Sequence, residues 1–216
     1  MIPLVPWRLK RFLAYNVPLA YSIVVNRGLP IPRMGEGIWL RELWDDPNWD
    51  WPLKNRLIRN LTSPSDRILD LGTGTGGILR FLKAEGYENL AAMDAAAYPL
   101  NRLREIGIEG RQGVLPAIPF DAGTFDFVIA SQVLEHIVRR HKFLREIRRV
   151  LKPGGRAAIF VPDWCLTPAD EPTHVAVYNI ATLAKLLRQH FRVQRVESVR
   201  DDNHQMNVLF ALVSAE

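Results

Sequence analysis

The feature that most constrains the fold is an alternation of short apolar runs with helical patterns, which begins at Ser65. Short apolar runs bounded by turn residues predict buried strands, and apolar residues spaced three and four apart predict helices. Strands that alternate with helices specify a parallel sheet with helices on both faces. The predicted strands are RILDL (67–71), NLAAMD (89–94), FDFVIAS (125–131) and RAAIFVP (156–162), and the predicted helices are GGILRFLKAEG (76–86), PLNRLREIG (99–107) and VLEHIVRRHKFLREIRRVL (133–151).

The C-terminal part of the chain departs from this alternation. A predicted helix at 181–191 is followed by two strand patterns, at 191–199 and 206–214, with only a short connection between them. A parallel crossover needs about a dozen residues or more, so this connection favours an antiparallel pair. We therefore expect a doubly wound α/β sheet that finishes with an antiparallel strand. Earlier in the chain, KPGG at 152–155 is expected to form a tight turn from the helix at 133–151 into the strand RAAIFVP.

Residues 1–64 differ in composition from the rest of the chain. They contain eight of the fifteen prolines and five of the six tryptophans, and they show no long run of regular hydrophobic periodicity. This composition predicts an N-terminal helical cap or lid of short helices and turns, laid over a second domain at 65–216.

Charge and cysteine content narrow the function classes. A net charge of +5 fits an acidic partner without naming one. The single cysteine, Cys165, excludes an internal disulfide framework and a CxxC zinc pattern, so we expect a cytoplasmic protein and predict no metal site. No stretch approaches the ~18 uninterrupted apolar residues of a transmembrane helix, so no membrane span is expected.

A glycine run, DLGTGTGG at 70–77, lies between the first predicted strand and the first predicted helix. It fits both GxGxxG and GxGxG, and such glycines let a turn and the amides of a helix N-terminus approach a nucleoside cofactor. Asp94 ends the next strand, where a carboxylate can accept from ribose hydroxyls; a helix cap is the alternative. Asp70 would repel the pyrophosphate of NAD and suits a cationic cofactor end instead.

When the segments that follow the glycine run are considered together with it, the chain resembles a class I S-adenosylmethionine-dependent methyltransferase of the broad small-molecule branch. The matching stretches are DLGTGTG (70–76), AAMD (91–94), LPAIPFDAGTFDFVIAS (115–131), VLEHI (133–137) and LKPGG (151–155). The resemblance covers residues 65–214. It implies a Rossmann-like, seven-stranded sheet, S-adenosylmethionine as cofactor, and methyl transfer to an oxygen or nitrogen of a small molecule. It also implies that the Trp-rich segment 39–54 covers the acceptor, although these tryptophans could equally pack the cap onto the domain.

The resemblance further implies which residues bind the cofactor. The loop would border the methionyl and ribose parts, Asp94 would hold the ribose hydroxyls, and Ala95 would lie against adenine. Val114 stands where an adenine-binding aspartate is frequent, which leaves apolar contacts and the Leu115 amide for adenine. The implied positions are Asp70, Gly72, Thr73, Gly74, Gly76, Asp94, Ala95, Val114, Leu115, Ser131 and Gln132. The last two follow the strand at 125–131 and could instead be turn and cap residues.

Two histidines are candidate general bases for an acceptor that must lose a proton. His136 lies in the LEHI segment. His174 lies in a loop with Asp163, Asp170 and Glu171, whose charges would raise its pKa. A structural role is the alternative for both histidines.

Two other functions stay open. The basic run at 139–149 would suit an RNA or protein methyltransferase, but its helical spacing favours a buried apolar stripe with a solvated basic face, and nucleic acid is therefore not the expected partner. The Val114 departure also allows a non-catalytic cofactor-binding module that acts through a partner.

Overall fold

We describe the fold from a computed structural model of the chain, which describes residues 6–25, 44 and 51–215. Its central element is a seven-stranded sheet. The strands are β1 (Ile68–Leu71), β2 (Leu90–Asp94), β3 (Glu109–Gln112), β4 (Phe125–Ser131), β5 (Leu151–Pro162), β6 (Arg192–Asp201) and β7 (Met206–Ser214). They lie in the order β3-β2-β1-β4-β5-β7-β6.

The first five strands are parallel to one another, whereas β7 runs antiparallel to both of its neighbours, β5 and β6. The mixed sheet with a reversed last strand is therefore confirmed. Strand β3, with the sequence EGRQ, is half-exposed and lies at one edge of the sheet. Its polar residues explain why apolar periodicity alone does not reveal it.

Helices connect the strands. Those in the described residues are α1 (Trp7–Asn16), α2 (Pro18–Val25), α3 (Pro52–Leu61), α4 (Gly77–Ala84), α5 (Ala97–Glu105), α6 (Arg140–Val150) and α7 (Ile180–Leu187), with a short 3-10 helix at Leu134–His136. The core is divided by the sheet because alternate residues of a strand face opposite ways. Leu69 packs with Phe143 of α6 on one face, and Ile68 packs with Leu100 of α5 on the other.

The predicted helix at 133–151 is wrong in its first third. Residues 134–136 form a 3-10 turn, Ile137 is extended, and α6 begins only at Arg140. The buried stripe of α6, which includes Phe143 and Ile147, agrees with the predicted amphipathic pattern. The apolar spacing alone could not reveal the interruption, because the LEHI residues pack at the end of β4 instead of continuing the helix.

The KPGG segment at 152–155 also differs from the prediction. It forms part of β5, and the pairing between β4 and β5 shifts register there, from Phe125–Leu151 to Phe127–Arg156. Gly154 adopts a φ of 73°, which lets the strand bulge without the penalty that a side chain would bring. Among the described residues, no helix is long and apolar enough to cross a membrane.

Candidate cofactor and active site

A cavity of about 190 Å³ opens at the carboxyl ends of β1 and β4. These neighbouring strands mark the point where the sheet order reverses, which is the usual ligand crevice of an open parallel sheet. The lining residues are Trp51, Lys54, Asp70, Gly72, Thr73, Gly74, Thr75, Gly77, Ile78, Ser131 and Gln132. Six of the predicted cofactor residues thus line this cavity: Asp70, Gly72, Thr73, Gly74, Ser131 and Gln132.

Asp70 is buried at the cavity floor, where β1 ends. Its Oδ2 accepts a hydrogen bond of 2.9 Å from the Thr73 hydroxyl, so it holds the loop. Its Oδ1 is buried and accepts no hydrogen bond from the described residues. Burial raises the pKa of Asp70 to about 7. An unpartnered buried oxygen that lines a cavity is suited to a donor or cation on a bound ligand.

Asp94, at the end of β2, is tied to the glycine loop through the backbone. Its Oδ2 accepts from the Gly74 amide at 3.0 Å and its Oδ1 accepts from the Ala96 amide at 2.8 Å. Burial raises its pKa, and these amides oppose the shift. Each carboxylate oxygen can accept more than one hydrogen bond, so capacity remains for ribose hydroxyls.

The loop glycines have different structural roles. A Cβ at Gly72 would stand 2.8 Å from a Val133 methyl, and one at Gly76 would stand 2.8 Å from Leu103, so these two positions permit close packing. A Cβ at Gly74 would meet nothing within 4 Å. Gly74 therefore borders open space at the cavity, whereas Gly76 precedes α4 and does not line the cavity.

Lys54 lines the same cavity and is not among the residues predicted for the site. It comes from α3, is only 1% exposed, and donates from Nζ to the Ser131 hydroxyl at 2.9 Å. Its ammonium also lies 3.2 Å from the centre of the Trp51 ring. A signal was present in the sequence: Lys54 shares a helical stripe with Ile58 and Leu61, where an apolar residue would be expected.

Burial makes Lys54 an unusual cation. Loss of hydration lowers its pKa to about 7, against the opposing attraction of Glu135, Asp201 and Asp70. The cavity thus places a buried cation and a buried carboxyl group within each other's electrostatic influence. Gln132, which also lines the cavity, has a left-handed backbone (φ 56°) and a buried side-chain amide nitrogen that donates to no described residue.

The predicted adenine contacts lie outside the cavity lining. The Ala95 carbonyl accepts from the Gln112 side chain at 2.8 Å, and the Val114 side chain is 74% exposed. Leu115 packs partly buried against the core. These positions are consistent with an open surface for adenine, and their role in binding remains a prediction.

The two candidate bases are brought together, away from the cavity lining. The His136 and His174 rings meet edge to face with their centroids 4.7 Å apart. Burial lowers the pKa of His136 to about 4 and also lowers that of His174. The expected raised pKa of His174 is therefore wrong, because the loss of hydration outweighs the attraction of Glu171 and Asp170.

Part of the predicted N-terminal lid lies outside the described residues. Residues 26–43 and 45–50, which include Trp39, Trp49, Asp45, Asp46 and Asp50, lie outside the described residues. Trp44 is buried against Tyr98 at a centroid distance of 6.1 Å, and Trp51 lines the cavity.

Comparisons with known proteins agree with this geometry. The family described as "Methyltransferase domain" matches residues 69–159. The chain is 32% identical to 24-methylenesterol C-methyltransferase 2 of Oryza sativa subsp. japonica over 54% of its own length and 35% of that protein. It is 31% identical to the ubiquinone/menaquinone biosynthesis C-methyltransferase UbiE of Ruegeria sp. (strain TM1040), over 56% of its own length and 49% of that protein.

The chain therefore spans between a third and a half of the length of these curated relatives. Among solved structures, a SAM-dependent methyltransferase from Aquifex aeolicus superposes with a TM-score of 0.66 at 23% identity, covering 83% of this chain and 98% of that one. This last likeness supports the fold.

Proposed function

We propose that this chain, which belongs to the class I S-adenosylmethionine-dependent methyltransferases, transfers a methyl group from that cofactor to an oxygen or nitrogen of a small molecule. The observation that carries the proposal is the pairing of Asp70 with Lys54 in one cavity at the sheet crevice. The amino-acid end of the cofactor carries both an ammonium and a carboxylate, and the cavity offers an opposite charge for each.

The cavity residues fit that amino-acid end. The free Oδ1 of Asp70 is suited to the ammonium, and Lys54 is suited to the carboxylate. A bound carboxylate would favour the charged form of Lys54 and raise its pKa, and a bound ammonium would lower that of Asp70. Asp70 and Lys54, which have few partners among the described residues, would thus each gain an oppositely charged partner from the cofactor.

The ribose and adenine would extend along the loop towards Asp94. We assign the ribose hydroxyls to Asp94, which the Gly74 and Ala96 amides hold in place. Adenine would lie between Ala95 and Leu115, close to Val114. The exposure of Val114 means that this end gains little from burial, so most of the binding free energy would come from the charged end.

When bound, S-adenosylmethionine supplies a methyl group activated by the positive charge on its sulfur. The protein then has to orient the acceptor and exclude water from it. An oxygen or nitrogen acceptor must also lose a proton. His174 and His136 have lowered pKa values and are neutral near pH 7, so either imidazole could accept that proton.

The base role has a direct test. Replacing His174 by Ala should slow turnover several-fold and leave cofactor affinity unchanged, because His174 does not line the cavity. Turnover equal to that of the unaltered protein would remove His174 as the base.

The N-terminal residues would contribute to the site. We propose that residues 1–64 form the cap, since Lys54 of α3 and Trp51, the residue just before α3, both line the cavity. The acceptor would then lie between this cap and the sheet. A cytoplasmic location remains a proposal as well.

A carbon acceptor is the second candidate, because both curated relatives are named as C-methyltransferases. An RNA or protein acceptor has less support, since α6 directs its apolar stripe into the core and leaves an ordinary solvated basic face. A non-catalytic binding module would need the same cofactor cavity without transfer.

Two measurements separate these possibilities. Calorimetry should show binding of S-adenosylmethionine but not of NAD, and tight NAD binding would overturn the cofactor assignment. Incubation with methyl-labelled cofactor and a metabolite extract should then place label on a small molecule, with the chemical shift of the new methyl distinguishing oxygen, nitrogen and carbon. Label found only in RNA or protein would support the alternative acceptors, and binding without transfer would support the non-catalytic module.

A further inference from the structure

A cluster of three metal-ligating side chains lies beside the site described above. Glu135, His136 and His174 each offer one ligand atom, and these three atoms lie within 4.8 Å of one another. Glu135 is 1% exposed and His174 is 4% exposed, whereas His136 is only partly buried. The cluster is thus largely buried.

Backbone hydrogen bonds build the cluster from two distant segments. The amides of Val175 and Ala176 both donate to the Glu135 carbonyl, at 2.9 and 3.2 Å. This contact fixes the loop that carries His174 against the 3-10 helix that carries Glu135 and His136. The three side chains are therefore positioned by the fold and do not depend on flexible surface groups.

Both imidazoles are oriented as metal-bound histidines commonly are. The Nδ1 atom of His136 faces the Thr173 carbonyl at 3.2 Å, and the Nδ1 atom of His174 faces the Leu166 carbonyl. A carbonyl only accepts hydrogen bonds, so each Nδ1 carries the hydrogen and each Nε2 has a free lone pair. Outer carbonyl partners of this kind fix the tautomer and raise the basicity of a ligating nitrogen.

Glu135 supplies the second, independent observation. Neither of its carboxylate oxygens accepts a hydrogen bond from another of the described residues, although both are buried. A buried unpartnered carboxylate is costly unless a cation or a donor satisfies it. The contact between the two histidine rings does not provide a hydrogen-bond donor for the Glu135 oxygens. Ring packing alone therefore does not explain why Glu135 is buried beside these histidines.

We propose that Glu135, His136 and His174 bind a divalent transition-metal ion such as Zn²⁺. Two imidazoles and one carboxylate are a ligand set of catalytic zinc sites, and imidazole ligands disfavour Mg²⁺ and Ca²⁺. Ligands at tetrahedral zinc stand about 3.4 Å apart, so the cluster would contract by an ångström or so around the ion. Three protein ligands leave one position open for water or an oxygen of a bound molecule. With the ion bound, both Nε2 lone pairs are occupied, so the base role proposed above applies to His136 and His174 only in the metal-free protein.

The test is direct metal binding by tag-free, chelator-treated protein. Titration with Zn²⁺ in competition with a chromophoric chelator should give one ion per chain, and Co²⁺ should give the visible absorption of a low-coordinate site. Glu135→Gln and His174→Gln should each weaken Zn²⁺ binding at least tenfold. Absence of stoichiometric Zn²⁺ binding to the unaltered protein would overturn the proposal.

His190→Gln is the matched control. His190 and His141 form another histidine pair, with their ring nitrogens 3.0 Å apart and more exposed, and among the described residues no carboxylate joins them in a ligand cluster. Zn²⁺ affinity should be unchanged in this variant, and an equal loss in His190→Gln and His174→Gln would refute the assignment. Circular dichroism checks the fold of each variant; should Glu135→Gln not fold, His174→Gln and the cobalt spectrum still decide. Calorimetry of S-adenosylmethionine with the metal-free protein keeps this outcome separate from that of the proposed function.

Discussion

The two walls of the cofactor cavity are built in opposite ways. One wall is a continuous stretch, Asp70–Gly77, whose glycines and carboxylate are neighbours in the chain. The other comes from α3 and meets Ser131 across 77 positions of sequence through the Lys54 side chain. The first wall is held by backbone amides and tight turns, whereas the second carries one buried charge whose desolvation costs stability. The local wall is therefore specified by its own residues, and the distant wall depends on the correct packing of α3.

Replacing Lys54 by Met tests the distant wall and has the largest expected effect. Because the pKa of Lys54 is lowered from 10.5 to about 7, the folded state binds fewer protons than the unfolded state between these pH values. The stability associated with Lys54 thus rises with pH across that window and is lowest below pH 7. The Met variant should be more stable than the unaltered protein by up to about 4 kcal/mol at pH 6. The gain should shrink towards pH 10.

Urea unfolding at pH 6 and pH 9.5 measures this difference, and calorimetry at pH 7.5 should show cofactor binding weakened about tenfold. Lys152→Met is the control, since Lys152 bonds Asp126 at 2.7 Å but is partly exposed. A destabilised Lys54→Met protein would contradict the predicted cost of burying the Lys54 charge. Unchanged cofactor affinity would mean that the α3 wall has only a structural role.

Replacing Asp94 by Ala tests the local wall. The variant loses the carboxylate that accepts from the Gly74 and Ala96 amides, and with it the proposed ribose contact. S-adenosylmethionine affinity should fall by about 2 kcal/mol, or roughly thirtyfold. Asp66→Ala is a fair control, because Asp66 also accepts a backbone amide, from Ser63 at 2.9 Å, away from the cavity. Equal losses of affinity in both variants would contradict the assignment of Asp94.

Alanine at Gly72 and at Gly74 should separate packing from binding within the local wall, with the smallest expected difference. Both residues have positive φ, 66° and 54°, so both variants carry backbone strain. Only at Gly72 would the new methyl group also press on Val133, at 2.8 Å. Gly72→Ala should thus be less stable than Gly74→Ala by about 1 kcal/mol.

Gly74→Ala should in turn have the larger ratio of lost cofactor affinity to lost stability of the two variants. The reason is that its methyl group would point into open space at the cavity, where the cofactor is proposed to bind. Thermal unfolding and calorimetry on the two proteins make the comparison. The reverse order of stability would show that Val133 moves aside without cost.

The accuracy of the sequence predictions follows the same contrast between local and distant features. The glycine run, the strand ends at Leu71 and Asp94, and the reversed strand β7 have local patterns, and these were predicted. The helix at 133–151 was predicted too long, because its apolar spacing continues through a segment that the tertiary structure bends into a 3-10 turn. His174 lies in a loop, as predicted, but it does not line the cavity. Its burial could not be predicted from the sequence, and burial reverses the direction of its pKa shift.

By itself, the sequence determined the alternating α/β order, the antiparallel end of the sheet and the glycine loop, since each depends on periodicity or on backbone freedom over a few residues. Only the tertiary structure decided that Lys54 enters the cofactor cavity and that His174 joins Glu135 and His136. Both depend on contacts between segments that are far apart in the chain. Neither the desolvation of a charge nor the approach of distant side chains to one another produces a pattern in the local sequence. The same burial that gives these side chains their unusual pKa values is a property of the fold as a whole.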